Sequence, residues 1–168
     1  MNLSNKAMEM AKDAVSKASD AKDKASGMMP KDGNKFSGTY VIKNVNSLAL
    51  DVKDASRVDG APVITWGAGS GDNQKFTIEC LPDSTYKITA VHSGMVLTVV
   101  NGDKVVQSTW ADTGNQKWNI VVTSSNIVKF ISKQNGKALD IPGNSSKQGA
   151  EVWVYADNGT AAQQFRLA

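Results

Sequence analysis

The sequence predicts an all-β fold built from three similar units, and three observations support this prediction. First, a triplet of glutamine, one spacer and an aromatic residue occurs three times, at Gln74–Phe76, Gln116–Trp118 and Gln163–Phe165. Second, the glutamines lie about 42 and 47 residues apart, which indicates an internal repeat. Third, each triplet follows an aromatic residue and a loop rich in turn-forming residues. The three copies therefore belong to three equivalent structural units.

Each unit has the pattern of a hairpin, a loop, a strand ending in an aromatic residue, a second loop and the glutamine strand. The alternating runs Leu48–Val52, Met95–Val99 and Leu139–Ile141 mark the second hairpin strand of the three copies. A β-propeller needs at least about four blades to close a ring. Three four-stranded units, with nothing left to cover an open edge, close on themselves with threefold symmetry. The sequence predicts a β-trefoil of three pseudo-symmetric repeats, at about 38–81, 82–125 and 126–168.

The first 30 residues differ in composition from everything that follows, and they predict an N-terminal α-helix over 1–30. Alanines from Ala7 to Ala25, followed by Met28, recur at spacings of three and four, as in a heptad stripe. A polar linker is predicted at 31–37. Because an alanine stripe buries little area, the helix is expected to need a partner. The candidates are a second copy, the following domain, a membrane surface or another protein, and a frayed tail is the alternative.

Composition argues against several classes of function. The net charge of +3 comes from scattered lysines, without the basic run that would follow a phosphate backbone, so nucleic acid is not an expected partner. One cysteine, Cys80, and one histidine, His92, predict no internal disulfide and no zinc site. His92 lies beside Ser93 without an orienting carboxylate at a suitable spacing, so no catalytic residue, enzyme activity, metal or cofactor is expected.

The localisation prediction depends on two features that the sequence lacks. No apolar stretch approaches the roughly 20 residues of a membrane span. The first residues do not show the basic-then-apolar pattern of a signal peptide. We expect a soluble protein that is extracellular or released, by a route that the sequence does not specify.

Six short motifs extend the repeat pattern: LALDV at Leu48–Val52, VITW at Val63–Trp66, DNQKF at Asp72–Phe76, GNQKW at Gly114–Trp118, KALDI at Lys137–Ile141 and VWVY at Val152–Tyr155. With these motifs the sequence resembles the ricin B-chain type lectins, which are β-trefoil carbohydrate-binding modules, over roughly 36–168. In that family an aspartate of the hairpin and the aromatic residue ending the third strand face a shallow sugar pocket. An asparagine before the triplet glutamine adds a hydrogen bond, while the triplet itself is mainly structural.

The chemistry of a galactose-like ring explains these residue types. Its apolar face stacks on an aromatic ring, and a carboxylate accepts its neighbouring hydroxyls in pairs through short charge-assisted bonds. Strand alternation places Asp51 on the face opposite the apolar residues of its strand, and Trp66 opposite Val63 and Thr65. The first copy has the full set. Its expected carbohydrate-binding residues are Asp51, Ile64, Trp66, Asn73 and Gln74.

The third copy keeps Asp140, Tyr155 and Gln163 as expected carbohydrate-binding residues. Ala162 stands where the asparagine is expected, so one hydrogen bond is missing. Trp153, also assigned to this site, is expected either to widen the stacking surface or to cover the sheet.

The second copy is expected to be weak or inactive. Thr98 replaces the aspartate and offers one weak acceptor, while Trp110, Asn115 and Gln116 are retained. Gln107 and Thr109 fall at positions that are apolar, or nearly so, and point inward in the other copies.

Other interpretations of the same residues remain. An aromatic residue such as Trp66 is about as often part of a core as a ligand platform, and Asp51 or Asp140 fits a turn that bonds its own backbone. The joint spacing of about 15 residues from aspartate to aromatic in the first and third copies favours binding sites.

The predicted function is a multivalent lectin for galactose or N-acetylgalactosamine on glycoproteins, glycolipids or polysaccharides. One alternative is a glycan-targeting module of a toxin or bacteriocin-like assembly, with the N-terminal helix docking a partner or a membrane. Another is a protein-binding scaffold, against which the retained aspartate and aromatic pairs argue.

Overall fold

The computed structural model describes residues 35–168. The predicted helix over 1–30 and residues 31–34 of the predicted linker lie outside the described residues. At the end of that linker, Phe36 is buried and packs edge-on against Tyr86, with ring centroids 5.8 Å apart. The core therefore includes a residue that precedes the predicted domain boundary at 38.

The described residues form thirteen β-strands and five short 3-10 helices. The strands form three groups, called lobe 1 (β1 to β5), lobe 2 (β6 to β9) and lobe 3 (β10 to β13). The strands are β1 (Gly38–Tyr40), β2 (Ile42–Asn44), β3 (Leu48–Val52), β4 (Val63–Gly67), β5 (Phe76–Cys80), β6 (Tyr86–Ala90), β7 (Val96–Val100), β8 (Lys104–Ser108), β9 (Trp118–Ser124), β10 (Ile127–Ser132), β11 (Ala138–Asp140), β12 (Trp153–Tyr155) and β13 (Phe165–Leu167). The 3-10 helices are Lys53–Ala55, Asp72–Gln74, Gly114–Gln116, Pro142–Asn144 and Ala161–Gln163.

The number of strands exceeds the predicted twelve because the first strand of lobe 1 changes partner. β1 pairs with β5, whereas β2 pairs with β13. Between them, the Val41 amide donates to the Ala168 carbonyl oxygen at 2.8 Å, and the Ala168 amide donates back at 2.9 Å. The break at Val41 thus marks the point where the strand crosses from its own lobe to lobe 3.

Antiparallel pairing closes the sheet into a barrel. Going round, β1 pairs with β5, β5 with β6, β6 with β9, β9 with β10, β10 with β13, and β13 with β2. The hairpins β3–β4, β7–β8 and β11–β12 complete the three lobes. Closure leaves the barrel strands without a free edge. The prediction of an all-β trefoil is confirmed.

The triplet aromatics fill the barrel, as the family resemblance implied. Phe76, Trp118 and Phe165 have no exposed surface, and the Trp118 indole N–H donates to the Leu97 carbonyl oxygen at 3.2 Å. Each buried aromatic side chain contributes about 2–3 kcal/mol through removal of apolar surface from water. One such residue per lobe fixes the position of the loop that precedes it.

Within 35–168, no helix has the length and hydropathy that a membrane crossing requires.

Candidate functional site

The triplet glutamine closes the loop in front of it in every lobe. In lobe 1 the Gln74 Oε1 accepts from the Gly69 amide at 2.7 Å, and Nε2 donates to the Gly67 carbonyl oxygen at 3.0 Å. Gln116 and Gln163 make the same pair of bonds to the loops of lobes 2 and 3. All three side chains are buried. These bonds hold a loop whose backbone would otherwise have unsatisfied groups.

The glutamines also support the residue at the aspartate position. Gln74 Nε2 donates to Asp51 Oδ2 at 2.8 Å, and Gln163 Nε2 donates to Asp140 Oδ2 at 3.0 Å. The sequence assigned Gln74 and Gln163 to the binding sites. The structure places them behind the carboxylates, with their polar atoms already bonded to protein groups. They position the site, and direct contact with a ligand would require breaking these bonds.

Burial dominates the electrostatics of Asp51. The side chain lies on β3, is 6% exposed and faces Ile64 of β4 across the strand pair. Desolvation raises the pKa of Asp51, and the nearby charge of Asp54 adds to this effect, while hydrogen bonds from Gln74 and Asn73 and the proximity of His92 oppose it. The carboxylate is therefore a buried acceptor that is costly to keep charged.

Asn73, expected to contact a ligand, lies at the rim of the lobe 1 cavity. Its amide donates to the Val52 carbonyl oxygen at 3.2 Å and also interacts with Asp51. Asn115 makes the same backbone bond in lobe 2, to the Val99 carbonyl oxygen at 3.0 Å. In lobe 3 this position is Ala162, which is buried. The asparagine thus has a structural bond wherever it occurs.

The lobe 1 cavity has a volume of about 550 Å³ and opens beside Trp66, whose side chain is 48% exposed at the end of β4. Asp54 and Ala55 line it in left-handed backbone conformations, with φ of 56° and 50°. That conformation is strained for non-glycine residues, and strain of this kind is concentrated at functional sites. The principal lining residues are Asp51, Asp54, Ile64, Trp66, Asn73 and Glu151.

One wall of this cavity comes from lobe 3, which sequence reasoning missed. The loop between β11 and β12 runs along β4, where the Gly149 amide donates to the Thr65 carbonyl oxygen at 2.7 Å and Glu151 bridges to Ile64. A Cβ at Gly149, where φ is +90°, would lie 3.9 Å from the Trp66 ring. No signal in the repeat identifies this wall, because the contact joins two different copies.

The lobe 3 cavity has a volume of about 440 Å³ and is lined by residues of lobe 3. Asp140 is buried, whereas Tyr155 is 49% exposed at the end of β12. The Trp153 indole N–H donates to Asp140 Oδ1 at 2.7 Å, and its ring stacks on Tyr155 with centroids 5.3 Å apart and planes 17° apart. Trp153 therefore backs the Tyr155 ring and fixes the carboxylate.

The structure corrects the position assigned to Trp110. Strand pairing aligns Ser108 with Val96, as it aligns Trp66 with Ala49. Ser108 therefore occupies in lobe 2 the position that Trp66 occupies in lobe 1, which is called the platform position. Trp110 lies past the end of β8, with the Lys87 ammonium 5.2 Å from its ring centroid. The sequence signal that identifies Ser108 is its spacing to the triplet glutamine. This spacing is about eight residues in every lobe, from Trp66 to Gln74, from Ser108 to Gln116 and from Tyr155 to Gln163.

Lobe 2 has a network of hydroxyl groups where lobe 1 has its carboxylate. Thr98 Oγ1 lies 2.5 Å from Ser108 Oγ, and Gln116 Nε2 donates to Ser108 Oγ at 3.0 Å. The inward position assigned to Thr109 is also wrong, since this residue is exposed and its amide donates to Asp59 at 2.6 Å. Gln107 does point inward, as predicted, and is fully buried.

His92 and Ser93 bond to different partners. His92 Nε2 lies 2.7 Å from the Ser56 carbonyl oxygen, and Ser93 Oγ donates to Gln107 Oε1 at 2.8 Å. Gln107 Nε2 donates in turn to the Ser56 carbonyl oxygen at 2.8 Å. These contacts join the β6–β7 turn to the loop after β3. In the part of the chain that the structure describes, no group of three His, Cys, Asp or Glu side chains is arranged to hold a metal ion.

The fold and the paired cavities define a β-trefoil with a buried carboxylate beside an exposed aromatic ring in two of its three lobes. The family model described as ricin-type beta-trefoil lectin domain-like matches residues 31–110, 72–155 and 114–168. The chain belongs to this family, and the resemblance to ricin-type lectins is confirmed.

Similar proteins include natural and designed molecules. The designed threefold-symmetric protein ThreeFoil is 37% identical, with a TM-score of 0.74 over 77% of this chain and 97% of that chain. The C-half of the earthworm R-type lectin, determined in complex with GalNAc, is 17% identical, with a TM-score of 0.62 over 77% and 96% of the two chains. The clotting factor G alpha subunit of Tachypleus tridentatus is 40% identical over 65 residues, which are 38% of this chain and 10% of that subunit.

Proposed function

We propose that this chain is a lectin that binds galactose or N-acetylgalactosamine through the cavities of lobes 1 and 3. One observation carries the proposal. In each cavity a buried carboxylate, Asp51 or Asp140, and a half-exposed aromatic ring, Trp66 or Tyr155, lie on paired strands and line the same cavity. A large apolar side chain exposed at a cavity mouth beside a preorganised acceptor is typical of a binding site.

The two groups match the two faces of a galactose-type ring. The aromatic ring stacks on the apolar face, and the carboxylate accepts hydrogen bonds from neighbouring hydroxyls. Desolvation strengthens those bonds, because a buried carboxylate interacts in a medium of low dielectric constant. The GalNAc ligand of the earthworm lectin makes galactose-type sugars the first ligands to test.

The cavities are shallow, so each is expected to bind a monosaccharide at about millimolar strength, or about 4 kcal/mol. Two cavities on one chain raise the avidity for a surface that displays many copies of the sugar. Lobe 2 is expected to contribute little, because Thr98 and Ser108 satisfy each other and the platform position has no ring.

The four tryptophans provide a direct test, since Trp66, Trp110 and Trp153 lie in different lobes and Trp118 lies in the core. In a galactose titration followed by ¹H–¹⁵N NMR, the indole signals of Trp66 and Trp153 are expected to shift while that of Trp118 stays fixed. Asp51→Ala is expected to remove the first response and Asp140→Ala to weaken the second.

Glu79→Ala provides a matched control. Glu79 is an exposed carboxylate on β5 that pairs with Lys87, and its removal is expected to leave both responses unchanged. If the wild type and the Asp51→Ala, Asp140→Ala double variant both fail to bind any galactose-terminated glycan on an array, the proposal is rejected.

A further inference from the structure

Lobes 1 and 3 differ at the residue that faces the carboxylate across the hairpin. Strand register pairs Asp51 with Ile64 and Asp140 with Trp153. Ile64 is buried and offers only hydrocarbon to Asp51. Trp153 places its indole N–H 2.7 Å from Asp140 Oδ1. Both pockets therefore have a carboxylate acceptor, but only the carboxylate of lobe 3 accepts a hydrogen bond from the residue across the hairpin.

This difference changes how much hydrogen-bond acceptor capacity each carboxylate can offer to a ligand. Asp140 accepts a protein hydrogen bond at each oxygen, from Trp153 at Oδ1 and from Gln163 at Oδ2. Asp51 accepts from Gln74 at Oδ2. Its second donor, the Asn73 amide, is shared between Asp51 and the Val52 carbonyl oxygen. Two adjacent hydroxyls of a sugar ring can donate to both oxygens of a carboxylate at once, and when the ring is stacked on an aromatic side chain the orientation of each hydroxyl decides whether it reaches its oxygen. Lobe 1 is better able to accept such a pair.

The walls of the two pockets also differ, and lobe 1 again has more acceptors for a ligand. Lobe 1 has a wall from the β11–β12 loop, including Glu151 as a further acceptor. The equivalent side of lobe 3 meets the β7–β8 turn, where Trp153 pairs with Lys104 and the Val154 amide donates to the Asp103 carbonyl oxygen at 2.7 Å. That turn is about five residues shorter than the β11–β12 loop, judged by the spacing across the paired strands. At lobe 3 the residue equivalent to Glu151 is Lys104, a cation that offers no acceptor and does not line the lobe 3 cavity.

We propose that Ile64 and Trp153 determine specificity, so that lobe 1 selects a sugar with adjacent cis hydroxyls whereas lobe 3 binds mainly by ring stacking. The inference rests on the proposed lectin function and assigns each pocket its own class of sugar. Lobe 1 takes galactose-type rings. Lobe 3 takes pyranoses of either configuration at the hydroxyl next to the carboxylate, including glucose.

The test compares methyl galactoside with methyl glucoside, which differ in the orientation of one hydroxyl. Binding to each lobe is followed through the backbone amides of Trp66 and Tyr155, which are present in every variant below. We expect the wild type to prefer the galactoside about tenfold in lobe 1 and less than about threefold in lobe 3, since one hydrogen bond to a charged group separates the two cases.

Three variants separate the N–H group of Trp153 from its ring. Trp153→Phe retains an aromatic ring but frees Asp140 Oδ1, and is expected to raise the galactoside preference of lobe 3 towards tenfold. Trp153→Ile is expected to raise the preference similarly while weakening both sugars, because the Tyr155 ring loses its stacking partner. Ile64→Trp, the reciprocal change, is expected to lower the preference of lobe 1. The backbone amide of the buried Trp118 reports that each variant is folded.

The outcomes distinguish this inference from the proposed function. If both lobes bind with the same preference, or if Trp153→Phe leaves the preference of lobe 3 unchanged in a folded protein, the inference is overturned while the lectin proposal stands. If neither sugar shifts either amide in the wild type, both are overturned.

Discussion

Lobes 1 and 2 share one backbone plan but differ in what it supports. Both have a buried glutamine that closes a loop, and both have an asparagine amide bonded to the preceding hairpin strand. At the acceptor position lobe 1 has Asp51 and lobe 2 has Thr98. At the platform position lobe 1 has Trp66 and lobe 2 has Ser108. The scaffold is thus retained where the proposed binding groups are absent.

The repeat and the proposed binding site are therefore separate features of the sequence. The triplet glutamine and its aromatic residue are needed for closure of every lobe, because they satisfy a loop backbone and fill the barrel. The carboxylate and the exposed ring are not needed for folding, since lobe 2 replaces them with two hydroxyls that bond each other. A triplet therefore indicates a lobe, and the residues facing the cavity indicate a site.

The largest predicted effect concerns the shared scaffold. Gln116→Leu is expected to lower the free energy of unfolding by about 3 kcal/mol, because it leaves buried loop groups without partners. Gln74→Leu is expected to cost a similar amount and also to weaken sugar binding in lobe 1, since Asp51 loses one of its two donors, the other being Asn73. Urea denaturation measures the first effect, and NMR titration measures the second.

Gln164→Leu is the matched control for these two variants. Gln164 is the spacer of the third triplet and is only half-buried, so a change within about 0.5 kcal/mol is expected. Equal losses for Gln164→Leu and Gln116→Leu would contradict the loop-closing role of the triplet glutamine.

A second, smaller effect is expected when the acceptor and the ring of lobe 1 are introduced into lobe 2. Thr98→Asp combined with Ser108→Trp places a carboxylate beside Gln116 Nε2 and a ring at the platform position. We expect galactose binding in lobe 2 to strengthen about tenfold, as one charge-assisted hydrogen bond allows. New galactose-dependent shifts of the lobe 2 amides measure this gain.

Thr98→Asp alone is the control, and it is expected to gain less because it has no ring for stacking. A folded double variant with no gain over the wild type would show that the acceptor and the ring do not suffice, and that the wall supplied by a neighbouring loop is also required.

The smallest predicted effect is the pH dependence of sugar binding in lobe 1. Burial raises the pKa of Asp51, with Asp54 adding to the effect and Gln74, Asn73 and His92 opposing it, so the acceptor is lost at a higher pH than for an exposed aspartate. Binding in lobe 1 is expected to fall about tenfold per pH unit below that pKa. Because the folded state holds this proton more tightly than the unfolded chain, the contribution of Asp51 to stability decreases as pH rises through the raised pKa.

Asp51→Asn tests both parts of this prediction. It is expected to abolish the pH dependence of galactose binding in lobe 1 and to maintain or raise the melting temperature at neutral pH, since the amide needs no buried charge. A lower melting temperature at neutral pH, with the fold intact, would contradict the predicted sign.

Much of the candidate site could be predicted because it lies within single copies of the repeat. Strand alternation gave the direction of Asp51 and Trp66, and a spacing of about 15 residues related Asp140 to Tyr155. The same method failed for Trp110, because the β7–β8 turn is shorter and counting from the aspartate position no longer finds the platform. Trp110 matches Trp66 in residue type, but strand register, which depends on turn length, places Ser108 at the platform position.

The trefoil, the core aromatics and the loop-closing glutamines follow from the sequence, because they depend on periodicity and on hydrogen bonds within one copy. Three features could be recognised only in the folded chain: Ser108 takes the position assigned to Trp110, Trp153 bonds Asp140, and Glu151 of lobe 3 forms a wall of the lobe 1 cavity. These contacts depend on strand register and on packing between lobes, which join residues distant in sequence.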